Sequence, residues 1–160
     1  MTQDIDYNIL MNSLLGQDLD QRECSILAGL MGTRQLQDGE DLVSEGDTSW
    51  TLFVLAAGKI EVLSMVAGNE VNLYHMHIGE CAGTRAFVEK APRMATLRAE
   101  GGATVYTLEP GDLESLLDTE PQIVYKFMRG LFRQTHANLM RVDAESQQLS
   151  NYINKIGGRY

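Results

Sequence analysis

The residues best suited to chemistry lie between Gly79 and Ala99, in the stretch GECAGTRAFVEKAPRMATLRA. Gly79 and Gly83 can take backbone conformations closed to other residues and let a ligand approach the main chain. The amides of Thr84, Arg85 and Ala86 then point outward from the start of a short helix, where unpaired donors favour a phosphate or carboxylate. Pro92 is expected to end that helical turn, and Arg93 follows with a planar fork of donors that fits an oxyanion. Competing readings stand beside these. Arg93 can instead pair with Glu89 or Glu80, Arg85 can be a solvated surface arginine, and Met94 can be core filling or a lid on the pocket.

His75-x-His77 is the other group worth weighing, because alternate strand residues share a face and both imidazoles could meet one ion. The alternation puts Tyr74, Met76 and Ile78 on one face and the two histidines on the other, facing outward. Glu80 follows after two residues only, and the third histidine, His136, falls on a distant helical segment. An exposed pair is the expectation, with no metal site. No Ser-His-Asp order, P-loop or HExxH helix is present, so no catalytic residues and no enzyme are expected.

The elements that must position these residues change character along the chain. Asp4 to Leu15 has the weak amphipathic spacing of a helix, with Ile5, Ile9, Leu10 and Leu14. Asp20 to Glu23 has the form of a capping box ahead of Ile26, Leu27, Leu30 and Met31, with Gly32 as the stop. From 33 to 108 short β-rich runs alternate with glycine turns, the rhythm of an antiparallel jelly-roll barrel. The expected strands are Thr33–Gln37, Asp41–Ser44, Thr51–Ala56, Lys59–Val66, Glu70–His77, Met94–Glu100 and Thr104–Leu108. Glu109 to Asp112 starts another helix, with Leu113, Leu116 and Leu117 facing inward. The fold class is therefore mainly β, a double-stranded β-helix (jelly-roll) barrel with flanking helices over residues 1–120.

Residues 121–160 are expected to form a long helix that packs on the barrel and then on a second copy. Ile123, Val124, Phe127, Met128 and Leu131 make the barrel face. Phe132, Thr135, Leu139, Val142, Ser146, Leu149, Ile153 and Ile156 recur by threes and fours, the seam of a coiled coil. A homodimer is the expectation.

Thirteen basic and 22 acidic residues give a net charge of -9, the wrong sign for tracking a nucleic-acid backbone, so no direct nucleic-acid binding is expected. Cys24 and Cys81 form neither a disulfide framework nor a metal motif. No charged leader and no run of eighteen apolar residues is present, so no membrane contact and a cytoplasmic location are expected.

Two motifs together resemble a known family. G-E-x-x-G, from Gly79 to Gly83, followed by P-R-x-A-T-L-R-A from Pro92, looks like the phosphate-binding cassette of cyclic nucleotide-binding domains. D-G-E-D-L-V-S-E-G-D, Asp38 to Asp47, and L-F-V-L-A-A-G-K-I-E-V, Leu52 to Val62, match the same family, so the likeness covers most of residues 15 to 130. The family includes the catabolite-activator and Fnr-type regulators of bacteria and the regulatory domains of kinases and channels. The resemblance implies a ligand-binding site at Gly83, Thr84, Arg85, Ala86, Arg93 and Met94 for a cyclic nucleotide, cAMP or cGMP, or another phosphate ligand, with no cofactor otherwise implied. Two positions depart from the pattern. Thr84 stands where the family usually has a glutamate that hydrogen-bonds the ribose 2'-hydroxyl, and Glu80 matches the acidic residue of the preceding turn instead. Met94 stands where a small residue is usual. The bacterial regulators dimerise through a long helix after the barrel, and a winged helix-turn-helix then follows; none is expected here, so a response would pass to a separate effector protein. The alternative is a non-catalytic dimeric interaction module with a vestigial pocket.

Overall fold

The computed structural model describes residues 5–157, with side chains as far as Lys155. Its centre is two four-stranded antiparallel sheets, β1-β8-β3-β6 and β2-β7-β4-β5. The strands are β1 (Gly32–Leu36), β2 (Asp41–Val43), β3 (Leu52–Ala57), β4 (Ile60–Val66), β5 (Asn69–His75), β6 (Cys81–Ala82), β7 (Thr96–Ala99) and β8 (Ala103–Leu108). The seven expected strands are present within two residues at each end. A two-residue strand carries no periodicity, and β6 was not expected.

Strand β3 explains how the layers meet. Phe53 and Leu55 face the space between the sheets with Leu36, Leu42, Ile60, Met76, Leu97 and Val105. Leu52 and Val54 face the opposite way, into a core shared with the helices. An uninterrupted LFVLAA run is what a strand buried on both faces requires.

The helices cover that second face. They are α1 (Tyr7–Asn12), α2 (Gln21–Leu30), α3 (Thr84–Glu89), α4 (Pro110–Glu114) and α5 (Pro121–Gly157). Helix α2 opens as its sequence requires: the Asp20 carboxylate accepts from the Glu23 amide, and Glu23 accepts in return from the Asp20 amide. These bonds satisfy two donors that a helix start leaves free. Glu23 also accepts from Lys126 Nζ at 2.7 Å, tying the cap of α2 to α5.

Four local expectations are corrected. Helix α1 is half the expected length, because Asp6 caps it from Asn8 and Ser13 Oγ, donating to Leu10 O and accepting from Gly16 N, turns the chain away. Asp4 lies outside the described residues. Gly32 does not stop α2: Met31 leaves in an extended conformation and Gly32 opens β1, where a Cβ would meet Thr107 Oγ1 at 2.8 Å. Leu117 is exposed, since α4 ends three residues before it. Ile78 is exposed too, because β5 ends at His75 and the chain turns, with Glu80 N donating to His77 O; Met76 is buried as expected.

Helix α5 runs unbroken across 37 residues. Ile123, Phe127 and Leu131 are buried in the shared core, Val124 packs against it, and Met128 lies at its exposed margin. Among the described residues no helix is long and apolar enough to cross a membrane.

Candidate ligand-binding site

A cavity of about 500 Å³ opens between the second sheet, the Gly83–Met94 segment and α5. That volume is in the range of small-molecule sites. Val43, Val62, Met76 and Leu97 form an apolar floor, while Gly83, Thr84, Arg85, Ala86, Arg93 and Met94 close one end. All six residues expected from the sequence thus surround one space. From α5 come Gln134, Asn138, Arg141, Val142 and Glu145.

Arg93 is the most constrained charged group there. Its side chain is 5 % exposed. Nη2 donates to Thr51 O at 2.8 Å and to Ser49 Oγ at 3.1 Å, Nε reaches the same hydroxyl at 3.3 Å, and the guanidinium carbon lies 5.2 Å from the Phe53 ring centre. Nη1 is buried without a partner. Burial lowers the pKa of this guanidinium, and the nearby charges of Glu109 and Asp47 oppose the shift. Neither Glu80 nor Glu89 pairs with it. The main chain holds Arg93 as firmly: Arg93 N donates to Asp47 O and Gly46 N to Arg93 O, both at 2.8 Å. The E-G-D turn at 45–47 therefore exists in part to fix this arginine.

Gly83 caps α3 in a left-handed conformation, φ +87°. A Cβ there would collide with Arg93 Nη1 and sit 3.1 Å from Thr51 O, so the site demands glycine both for its backbone and for its space. Helix α3 ends at Glu89, with Lys90 in the left-handed region at φ +53°; the stop therefore comes before Pro92 rather than at it. Arg85 is exposed, with Nε 3.3 Å from Glu89 and Nη1 3.1 Å from Met94 Sδ. Met94 is itself exposed at the cavity mouth rather than packed in the core.

The opposite wall holds residues that no sequence spacing revealed. Gln134 is 5 % exposed; its Oε1 accepts from Cys81 N at 3.0 Å and its Nε2 donates to Cys81 O at 2.7 Å. The Tyr74 phenol donates to Glu80 at 2.6 Å, and burial together with that carboxylate raises its pKa. Arg141 lies over the Tyr74 ring at 4.1 Å. Phe87 of α3 meets Phe127 of α5 with ring centres 6.0 Å apart. Ser49, Thr51, Gln134 and Arg141 are each unremarkable in sequence, and only the fold gathers them. Val142, expected in the coiled-coil seam, also lines the cavity.

The two histidines do not act together. His77 is exposed and lies 3.1 Å from the Tyr74 hydroxyl and 3.4 Å from Glu80, whereas His75 points to Glu100 at 3.5 Å.

The antiparallel jelly roll thus carries a polar-ended cavity under a glycine-arginine cradle. The sequence pattern of the cyclic nucleotide-binding domain matches residues 33–120, and the chain belongs to that family. A cGMP-dependent protein kinase from Toxoplasma gondii is 29% identical over 82 residues, 51% of this chain and 8% of that protein. The chain thus spans a small part of this curated relative. The crystal structure of a cyclic nucleotide-binding domain from Methylobacillus flagellatus KT superposes with a TM-score of 0.80 at 18% identity, covering 84% of this chain and 79% of that one. The regulatory domain of Toxoplasma gondii PKA, solved with cAMP, gives a TM-score of 0.63 at 22% identity over 68% of this chain and 42% of that one.

Proposed function

We propose that this chain is a regulatory sensor domain that binds a cyclic nucleotide or a related phosphate ligand and passes the event to a partner through α5. The observation that carries the reading is Arg93 Nη1, a buried cationic donor without a partner beside the space that only glycine leaves at position 83. Leaving such a donor unpaired costs about 1–3 kcal/mol or more, and an anionic ligand oxygen removes that cost. Thr84, Arg85 and Ala86 open α3 and line the same cavity, and the amides of a first helical turn have no intrahelical acceptor, which supplies donors suited to phosphate. The relative that binds cAMP and the cGMP-dependent relative point to the ligand class. With Thr84 in place of a carboxylate, the ribose diol gains at most one neutral hydrogen bond, which makes cyclic nucleotides weaker ligands here than a charged partner would.

Transmission follows from two contacts. Phe87 bears on Phe127, and Gln134 grips the Cys81 main chain next to Gly83, so a shift of the cradle is felt by α5. The seam of exposed Phe132, Leu139, Val142, Leu149 and Ile153 fits a homodimer; the Ile156 side chain lies outside the described residues. Thr135 and Ser146 are exposed on the same helix.

Calorimetric titration with cAMP, cGMP and 5'-nucleotides tests the reading. Binding of one of them, lost in Arg93→Met while the far-UV spectrum stays unchanged, is the expected result. Unchanged affinity in Arg93→Met would remove the clamp. Silence from every phosphate would leave the dimeric interaction module with an unused pocket, the second reading, which Thr84 and Met94 favour.

A further inference from the structure

Sequence spacing associates His75 with His77 and Glu80, but the sheet associates it with two other residues. In the order β7-β4-β5, Glu61 of β4 is in register with His75 of β5 on one side and with Arg98 of β7 on the other. Glu100 follows Arg98 by two residues, and its amide donates to Lys59 O at 3.0 Å. Pleating therefore puts Glu61, His75 and Glu100 on one face of the sheet. One ligand atom from each lies within 4.8 Å of the others.

We propose that Glu61, His75 and Glu100 form a divalent metal site, best suited to Zn²⁺. Three observations support it. First, His75 Nδ1 and Glu100 Oε2 are 3.5 Å apart, close to the edge, roughly 3.4 Å, of a tetrahedron built on ordinary Zn–N and Zn–O distances of about 2.0–2.2 Å. Second, Asn72 Nδ2 donates to Glu61 Oε1 at 3.1 Å and lies 3.3 Å from His75 Nε2. Nδ2 only donates, so in the metal-free protein it positions both side chains, with His75 Nε2 as acceptor and the imidazole proton on Nδ1. An ion at Nδ1 shifts that proton to Nε2, and the amide turns so that Oδ1 accepts from it. Third, the arginine on this face is already engaged: Arg98 pairs with Asp41 and Glu70. Among the described residues neither Glu61 nor Glu100 has a lysine or arginine partner, and two carboxylates balance a dication.

One imidazole nitrogen and two carboxylate oxygens suit Zn²⁺ or Mn²⁺ better than an all-oxygen ion, with water completing the shell. The ion would add a staple across three strands already joined by their ladders and by the Asn72–Glu61 and Arg98–Glu70 contacts. Val62, Tyr74 and Met76, next to the ligands in sequence, and Leu97, next to Arg98, line the cavity on the opposite side of that sheet. A metal here stiffens the cavity wall without entering the cavity.

Chelator-treated protein titrated with ZnCl2 by calorimetry, with MnCl2 and MgCl2 in parallel, decides the matter. Expected is one Zn²⁺ per chain, weakened about tenfold or more in His75→Ala and in Glu100→Gln and unchanged in His77→Ala. All three side chains are exposed, and an unaltered metal-free thermal transition establishes that each variant folds. Absence of Zn²⁺ binding in the wild type, equal affinity in His75→Ala, or an equal loss in His77→Ala would each overturn the site. Cys24 and Cys81 are buried and do not compete.

Discussion

The two halves of α5 are one helix in geometry and two in energetics. From Pro121 to Gln134 it is part of the protomer: Ile123, Phe127 and Leu131 are buried, Lys126 reaches Glu23, Arg133 donates to Asp18 at 2.7 Å, and Gln134 holds Cys81. Gly130 lies so close to the α1 corner that a Cβ would meet Leu14 O at 2.6 Å and Leu15 Cα at 2.9 Å. Beyond Gln134, Leu139, Val142, Leu149 and Ile153 are each more than half exposed, and the contact of Arg141 with Tyr74 fastens the helix to the barrel. That segment lacks the tertiary packing of an apolar face from which most helices in proteins draw their stability. The first half is fixed to the barrel, and under the proposed function the second is the part that a ligand or another copy would hold in place.

The largest effect is expected where the comparison is sharpest, at Phe127. It is fully buried and touches Phe87 of the cradle. Phe127→Ala should cost about 3–5 kcal/mol, read by urea denaturation, while the same truncation at Phe132, which is 72% exposed, should cost little in the protomer. Equal losses would mean that the distal face is covered within one chain. Gln134→Leu comes next. It keeps the volume but leaves the Cys81 amide and carbonyl without their side-chain partner, at about 1–3 kcal/mol. Hydrogen exchange near Cys81 and Gly83 should quicken along with the loss of stability. Protection unchanged in that segment would separate α5 from the cradle.

The legibility of these parts follows from what kind of signal each leaves. Strands announce themselves through alternation and glycine turns, and the capping box at Asp20 and Glu23 through side-chain chemistry alone, so both could be read before any coordinates. The cradle was legible because Gly83 and Arg93 are near in sequence and their types are demanded by backbone conformation and charge. The restraints on Arg93 were not, since Ser49 and the Thr51 carbonyl lie more than forty residues away and a main-chain acceptor has no residue type. Gln134 hid for a related reason: a polar residue on an amphipathic helix reads as solvated until a strand is laid against it. The neighbours of His75 across the sheet, Glu61 and Glu100, were not legible, because periodicity sees along a strand and not across a sheet.

The smallest effect on the protomer is the one that tests the distal half. Leu149 is 60% exposed and lies well beyond the last buried residue of α5, so Leu149→Glu should change the protomer's own stability by no more than about 0.5 kcal/mol. Under the homodimer proposed here, the same change puts two carboxylates into an apolar seam, where desolvation and like-charge repulsion both act against association. Sedimentation should then show a dimer for the wild type at micromolar concentration and a monomer for the variant, with the same midpoint of unfolding at concentrations where both are monomeric. A wild type that is monomeric throughout would mean that the exposed stripe on α5 meets something other than its own copy. A variant that stays dimeric would move the interface off this helix and leave the second half of α5 answering to the cavity alone, through Asn138, Arg141 and Glu145.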